Sequence, residues 1–292
     1  MSPAPHPRMH GLTHVPGGPD TIPGLPTGTG GPGLEDVILA HSPVGLWKLD
    51  ESSGTTAADS SGNGNDMTVA SGYVGPTWAQ AAGPPGTQTA QFVAEPGSSN
   101  AGTRFTRTLA AYTDEFSAGT WVNLTQTTFP EELIGQGTWH SIGGAGWQIL
   151  WSNTTDKFCV SMASANFDIV ANNVSVVDTW YLVGITATGG TVTMYIDGLA
   201  QADTHAVNAS GSTATWLGND GHNTSSRHGS DAIMSWAFIT DTPISGAEWL
   251  DIYEAGQTGG SLAEGLVWTS DGLGGASWQP PTGGAGTIEV TY

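Results

Sequence analysis

The sequence predicts an all-β fold, an antiparallel β-sandwich or jelly roll. One short helix comes late in the chain, and an extended Gly/Pro-rich segment lies at each end. Three observations carry this. Charged residues make up 11% of the 292-residue chain, against roughly 25% in an average soluble domain. Gly (43) and Pro (17), with Ser, Thr and Asn, fill the deficit; these are turn formers, and the residues that favour helices are scarce. Strand-like runs rich in Thr, Val and Trp recur between turn signals over residues 37–258. One domain of about 200 residues with tails fits the length better than two full domains.

The strand-like runs are Val44–Leu49, Thr89–Val93, Thr103–Thr108, Gly119–Leu124, Trp147–Trp151, Lys157–Met162, Thr179–Thr188, Thr191–Ile196, Thr213–Leu217 and Ala232–Ile239. The clearest hairpin turns at Gly189-Gly190. Alternation puts Tyr181, Val183 and Ile185 on one face of its first strand, and Val192, Met194 and Ile196 on one face of the return. Asp197-Gly198 supplies the next tight turn. A helix is expected over Ser245–Ala255, with Ser245 as N-cap, Glu248 completing a capping box and Gly256 closing it. Trp249, Ile252 and Tyr253 would face the sandwich. Trp47, Trp121, Trp180 and Trp236 sit in strand patterns and read as core. Cys159 is the lone cysteine. Flanked by Phe158 and Val160, it reads as a small core hydrophobe.

Residues 1–36 and 259–292 lack apolar periodicity and bury too little to fold alone. Order at Trp268, Trp278 and Tyr292 would need packing against another chain. Gly28–Gly33 matches G-x-G-x-x-G, but no strand precedes it and no helix follows Pro32, so it is not a nucleotide loop. Six Lys+Arg stand against 26 Asp+Glu, a formal net charge of −20. Without a basic run to neutralise phosphates, nucleic acid is not expected as a partner. The N-terminus has no apolar core of a signal peptide, and no stretch is long enough to span a membrane, so neither export by that route nor membrane insertion is expected.

The stretch Gly45-Leu-Trp-Lys-Leu-Asp50-Glu-Ser-Ser-Gly54, continuing through Asp59-Ser-Ser-Gly62-Asn-Gly64-Asn65, resembles the first strand and loop of the laminin-G-like family, which has the concanavalin A-like jelly-roll fold. Met194-Tyr-Ile-Asp197-Gly198 matches that family's Y-x-D-G hairpin signature. Trp236 through Glu248 is similar to its last strand leading into a short helix. The resemblance covers roughly residues 40–256. The ends resemble something else. His10-Gly-Leu-Thr-His14-Val-Pro-Gly-Gly18-Pro-Asp20 and Val267-Trp-Thr-Ser-Asp271-Gly-Leu-Gly-Gly-Ala-Ser-Trp278 are similar to segments of bacteriophage minor tail and fibre proteins. That likeness implies a virion tail location, a homotrimer, other tail proteins as partners, and a lectin-like domain for a host cell-surface glycan. The alternatives are a structural or decorative virion component, or a glycan-degrading enzyme on the same fold.

The laminin-G-like resemblance implies calcium as the only cofactor, held by the loop Asp59–Asn65. Asp59, Asn63, Asn65 and Asp66 supply the oxygens a hard cation takes. The same residues also make an Asx/Gly turn with no metal. Where the family carries an acidic pair before its last strand, this chain has Ile233-Met234-Ser235, with Asp231 as the acidic residue nearby. His6, His10 and His14 recur every four residues and suit a transition metal shared between subunits, although Pro7 and Gly11 oppose the helix that would align them. Sugars stack on aromatic faces while polar neighbours bond their hydroxyls. The candidates are Trp139, His140, Trp151, Asp220, His222 and Asn223. Catalysis is not expected. The E-x-D-x-E strand of glucanases on this fold is absent, and Glu131-Glu132 and Asp114-Glu115 would point to opposite faces of extended strands. No G-x-S-x-G elbow or H-E-x-x-H motif is present.

Overall fold

The computed structural model describes residues 32–84, 86–93, 102–112, 114–128, 130–137, 146–162, 167–207, 211–219 and 230–257 (of 81 and 82 the backbone alone), together with the backbone of two later strands. The chain divides into Met1–Gly31 and Pro32–Tyr292, and the described residues all lie in the second unit. Helix α1 (Leu34–Leu39) comes first. Strands β1 (Gly45–Trp47), β2 (Thr56–Ala57), β3 (Met67–Val69), β4 (Thr77–Gly83), β5 (Thr87–Gln91), β6 (Phe105–Thr108) and β7 (Phe116–Asn123) follow. Then come β8 (Glu131–Gly137), β9 (Gly146–Ser152), β10 (Lys157–Met162), β11 (Ile169–Val170), β12 (Trp180–Thr188), β13 (Thr191–Ile196), β14 (Leu199–Ala206), β15 (Ala214–Leu217) and β16 (Ile233–Thr240). Helix α2 (Gly246–Gln257) precedes the hairpin of β17 (Val267–Ser270) and β18 (Ala276–Gln279).

Two antiparallel sheets make the sandwich. The first runs β14-β13-β12-β7-β16-β5-β4, with β1 also paired to β16; the second runs β11-β10-β9-β8-β15-β6-β3-β2. Alternation builds the core between them. Val183 and Ile185 stand opposite Ile196 and Met194 across the expected hairpin, and they meet Trp147, Ile149, Phe158 and Val160 of the second sheet in one apolar cluster. The outer face of the first sheet is apolar as well. Leu46, Trp121, Leu182, Trp236 and Phe238 form a second cluster there with Trp249 and Ile252 of α2 and Leu34 and Ile38 of α1. The sheet is bare where the helix needs room: a Cβ on Gly184 would lie 2.1 Å from the Trp249 ring.

Helix α2 starts as its sequence dictates. The Glu248 carboxylate accepts the Ser245 N–H at 2.7 Å, and Ser245 Oγ accepts the Glu248 N–H at 3.4 Å. Trp249 and Ile252 are buried, and Tyr253 stacks on Trp121 at 5.7 Å. Gly256 does not close the helix, which continues to Gln257; a Cβ there would lie 2.2 Å from Trp121, so this glycine serves close packing. Helix α1 straddles the boundary placed at residue 36 because Leu34 and Ile38, one turn apart, are fully buried. Trp47, Trp121 and Trp236 are buried as expected, whereas Trp180 is half-buried. Cys159 is a buried free thiol, and burial pushes its pKa up to about 11. In the C-terminal segment, read as extended, β17 and β18 pair with Trp268 opposite Trp278. Among the described residues no helix is long and apolar enough to cross a membrane.

Candidate functional site

The loop after β2 brings four of the candidate metal ligands together and then spends them on the chain. Asp59 Oδ1 accepts the N–H groups of Leu46 at 3.0 Å and Ser61 at 2.9 Å. Its Oδ2 accepts the Asn65 N–H and the Ser61 hydroxyl, both at 2.8 Å. A carboxylate has about four lone-pair positions, and all four are engaged. Burial alone would raise the Asp59 pKa, but these bonds outweigh it and hold the carboxyl below its usual range. Asp66 Oδ1 accepts the Asp59 N–H at 2.8 Å. The Asn63 and Asn65 amides donate to the Pro43 and Val44 carbonyls at 3.0 and 2.8 Å. Of the oxygens left, Gly64 O and Asn65 Oδ1 receive the Arg107 guanidinium at 3.1 and 3.5 Å, and this fixed cation repels a second one. The loop is a latch that holds β1 to the start of the second sheet. A groove of about 470 Å³ beside it is lined by Ser42, Val44, Ser61, Asn63 and Asp241.

Asp231 does not join this set. Trp47 bridges to Asp59 and pairs with Ala237, and the six residues from Asp231 to Ala237 span on the order of 15–20 Å of extended chain. Asp231 instead donates its N–H to Glu131 Oε2 at 2.5 Å, and its carbonyl accepts the Thr125 hydroxyl at 2.8 Å. Among the described residues no group of three His, Cys, Asp or Glu side chains is placed to hold a metal. His6, His10 and His14 lie outside the described residues, as do Trp139, His140, Asp220, His222 and Asn223.

Trp151 must be withdrawn as a sugar platform. Its register opposite Phe158 and Glu131 turns it inward, and it is 0% exposed in the core. The same register identifies what the sequence did not. Trp147, Ile149 and Trp151 of β9 face the core, so Gln148 and Leu150 face outward. Cross-strand pairing then sets one outward row over six strands: Thr68, Thr106, Trp216, Gly135, Gln148 and Ser161. The next row holds Glu132, Leu150 and Cys159. Gly135 is the floor of this face. A Cβ there would lie 2.5 Å from the Trp216 ring and 2.9 Å from Gln148 Cβ, so the indole lies across the bare glycine toward Gln148. Trp216 Nε1 donates to the Gly137 carbonyl at 2.7 Å, which fixes the ring.

Ten described side chains bury a polar atom without a hydrogen-bond partner, and Gln148 is the one among them that does so at both a donor and an acceptor atom. Both its amide nitrogen and its amide oxygen are buried, and neither has a hydrogen-bond partner. An unfilled buried donor or acceptor costs about 1–3 kcal/mol, so the fold tolerates a deficit that a ligand would relieve. An indole face beside an unfilled donor–acceptor pair fits a sugar: the ring covers the apolar face of a pyranose while the amide gives and takes hydrogen bonds with its hydroxyls. Trp216 and Gln148 are 1% and 3% exposed, so ligand entry needs an opening over this face. Gln148 left one trace in the sequence, a polar residue alternating with Trp147 and Trp151; Trp216 and Gly135 left none until paired.

The acidic neighbours lie apart. Glu131 faces inward opposite Trp151, and Glu132 faces outward opposite Leu150, so this pair lies on opposite faces as expected. Asp114 and Glu115 sit in a bend rather than an extended strand. Glu115 accepts the Thr188 hydroxyl and the Gly189 N–H, both at 2.8 Å. The hairpin signature has a structural role: Asp197 Oδ1 accepts the Leu182 N–H at 2.9 Å, and burial pushes its pKa up to about 6.

No family model matches the chain, and no curated protein matches it. Solved structures do. A Trypanosoma rangeli sialidase in complex with 2,3-difluorosialic acid superposes with a TM-score of 0.55 at 13% identity over 80% of this chain. The receptor-binding domain of the botulinum neurotoxin C/D mosaic serotype does so with a TM-score of 0.50 at 14% identity over 73%. The chain spans 35% of the sialidase and 51% of the toxin domain. At these identities the likeness is one of fold, a two-sheet antiparallel β-sandwich.

Proposed function

We propose that this protein is a bacteriophage virion component, a homotrimeric minor tail or tip protein whose sandwich binds host-surface carbohydrate through the outer face of its second sheet. The observation that carries the binding assignment is Gln148, a buried amide with both ends unfilled, set beside the Trp216 indole across Gly135. The two terminal segments similar to phage tail proteins support the virion assignment, and the shortage of cations argues against nucleic acid as the ligand. One such site binds weakly; three copies in a trimer, repeated around a tail, raise the avidity without new contacts.

The test is binding of fluorescently labelled protein to host cells and to their purified wall polysaccharides, with Trp216→Ala and Gln148→Ala beside the wild type. Saturable binding lost in both variants, with trimers intact by light scattering, is the expected outcome. Full binding in both variants removes the site. No binding by a correctly assembled wild type favours a purely structural or decorative role.

A further inference from the structure

We infer that the ligand of this face is an oligosaccharide carrying a carboxylate, and that Arg104 is the residue that selects it. The inference rests on the glycan-binding reading above and narrows it to a substrate class.

Arg104 directly precedes β6. Phe105 faces the core, so Arg104 faces outward with Thr106, which pairs with Trp216. Its guanidinium carbon lies 5.5 Å from the centre of the Tyr73 ring, and its Nε is buried with no acceptor. A chain of net charge −20 with six Lys+Arg has few cations to place, and this one is set on the same outward surface as the Gln148 amide. The other cation of matching alternation, Lys157, gives its ammonium to the Asn172 carbonyl at 2.9 Å. Among the described cations, Arg104 is the one with a buried donor that lacks an acceptor. A guanidinium stacked on an aromatic ring is held in orientation and presents a planar fork, and a carboxylate takes that fork through two parallel hydrogen bonds. A neutral hydroxyl fills only one of them.

The spacing sets the ligand's size. Arg104, Trp216, Gly135 and Gln148 stand on or beside β6, β15, β8 and β9, which are successive neighbours in the sheet. Three inter-strand spacings separate the ends, about 14 Å. A single sugar ring does not reach from the Gln148 amide to the Arg104 fork, whereas a short chain lying across the strands does, with the indole under its middle. The net charge of −20 disfavours general attraction of anions, which makes a local cation a selector rather than a general attractant.

The experiment uses the full chain and matched probes: oligouronates and oligosialic acids, the same oligosaccharides with their carboxylates reduced to alcohols, and a sulfated dextran. Titration calorimetry of the wild type should show a carboxylated probe binding at least about tenfold tighter than its reduced partner, the value of a charge-assisted pair. Arg104→Gln should erase that ratio, while Arg104→Lys keeps part of it. Thermal melts at the wild-type midpoint show that the variants fold. Equal binding of carboxylated and reduced probes, or a ratio that survives in Arg104→Gln, overturns the assignment while the glycan site stands. Preference for the sulfated probe overturns the carboxylate in favour of another anion. Failure of every probe to bind overturns the glycan-binding reading and this assignment with it.

Discussion

Glu131 shows how one side chain ties stability to pH. It is fully buried, accepts the Asp231 N–H and the Gln126 amide, and burial pushes its pKa up to about 8 despite those bonds. The folded state therefore holds this proton over a range where the unfolded chain, titrating near 4.5, has lost it. Its stabilising contribution is full below the unfolded value and is lost as the pH rises through the folded one. Asp197 acts in the same direction but is titrated by about pH 6, so the interval from pH 6.5 to 9 isolates Glu131. Over it the wild type should lose about 2 kcal/mol from this group, and Glu131→Gln should flatten the loss in denaturant unfolding at the two pH values. A variant as pH-sensitive as the wild type would contradict the assignment. At Gly184, Ala should cost about 1–3 kcal/mol, because its Cβ would meet the Trp249 ring at 2.1 Å; thermal unfolding checks this.

Individual elements differ in how much of them the sequence discloses. The β12–β13 hairpin and α2 were legible because their signals are local: alternation about a Gly-Gly turn, and a capping box ahead of Trp249 and Ile252. Strand β8 was not. Two carboxylates and two glycines in Glu131–Gly137 mask a strand whose every residue is buried, and only tertiary packing explains carboxyl groups there. Strand β14, at the edge of the first sheet, is mostly exposed and polar, so it lacks alternation. The Asp59 loop was legible as a motif yet ambiguous in chemistry, since a calcium loop and an Asx turn use the same residues. The donors that fill Asp59 and the Arg107 cation beside it are those of a self-satisfied turn. Removing divalent ions with EDTA should shift the melting temperature by less than about one degree. Asp59→Ala should destabilise by on the order of 2 kcal/mol, because it leaves the Leu46, Ser61 and Asn65 N–H groups unfilled. A large shift in EDTA would restore the metal.

At the scale of the molecule, the sandwich has two outer faces of different character. The face of the first sheet is closed by apolar packing under α1 and α2. A chain beginning at His41 should therefore melt several degrees lower than one beginning at Pro32, for want of Leu34 and Ile38; equal midpoints would show that α1 adds nothing. The face of the second sheet carries Gln148, Trp216 and Arg104, polar groups that packing alone does not ask for. That a sandwich would form was readable from composition and turns. Which face would hold a ligand was not, because the row from Thr68 to Ser161 joins six strands that only the register brings side by side. The central claim is that Gln148 is kept for a ligand and against stability. The most direct measurement pairs thermal unfolding with glycan titration for Gln148→Leu. The account predicts a protein more stable than the wild type by about 1 kcal/mol that no longer binds host wall polysaccharide. A destabilised variant, or one that binds as the wild type does, would contradict it.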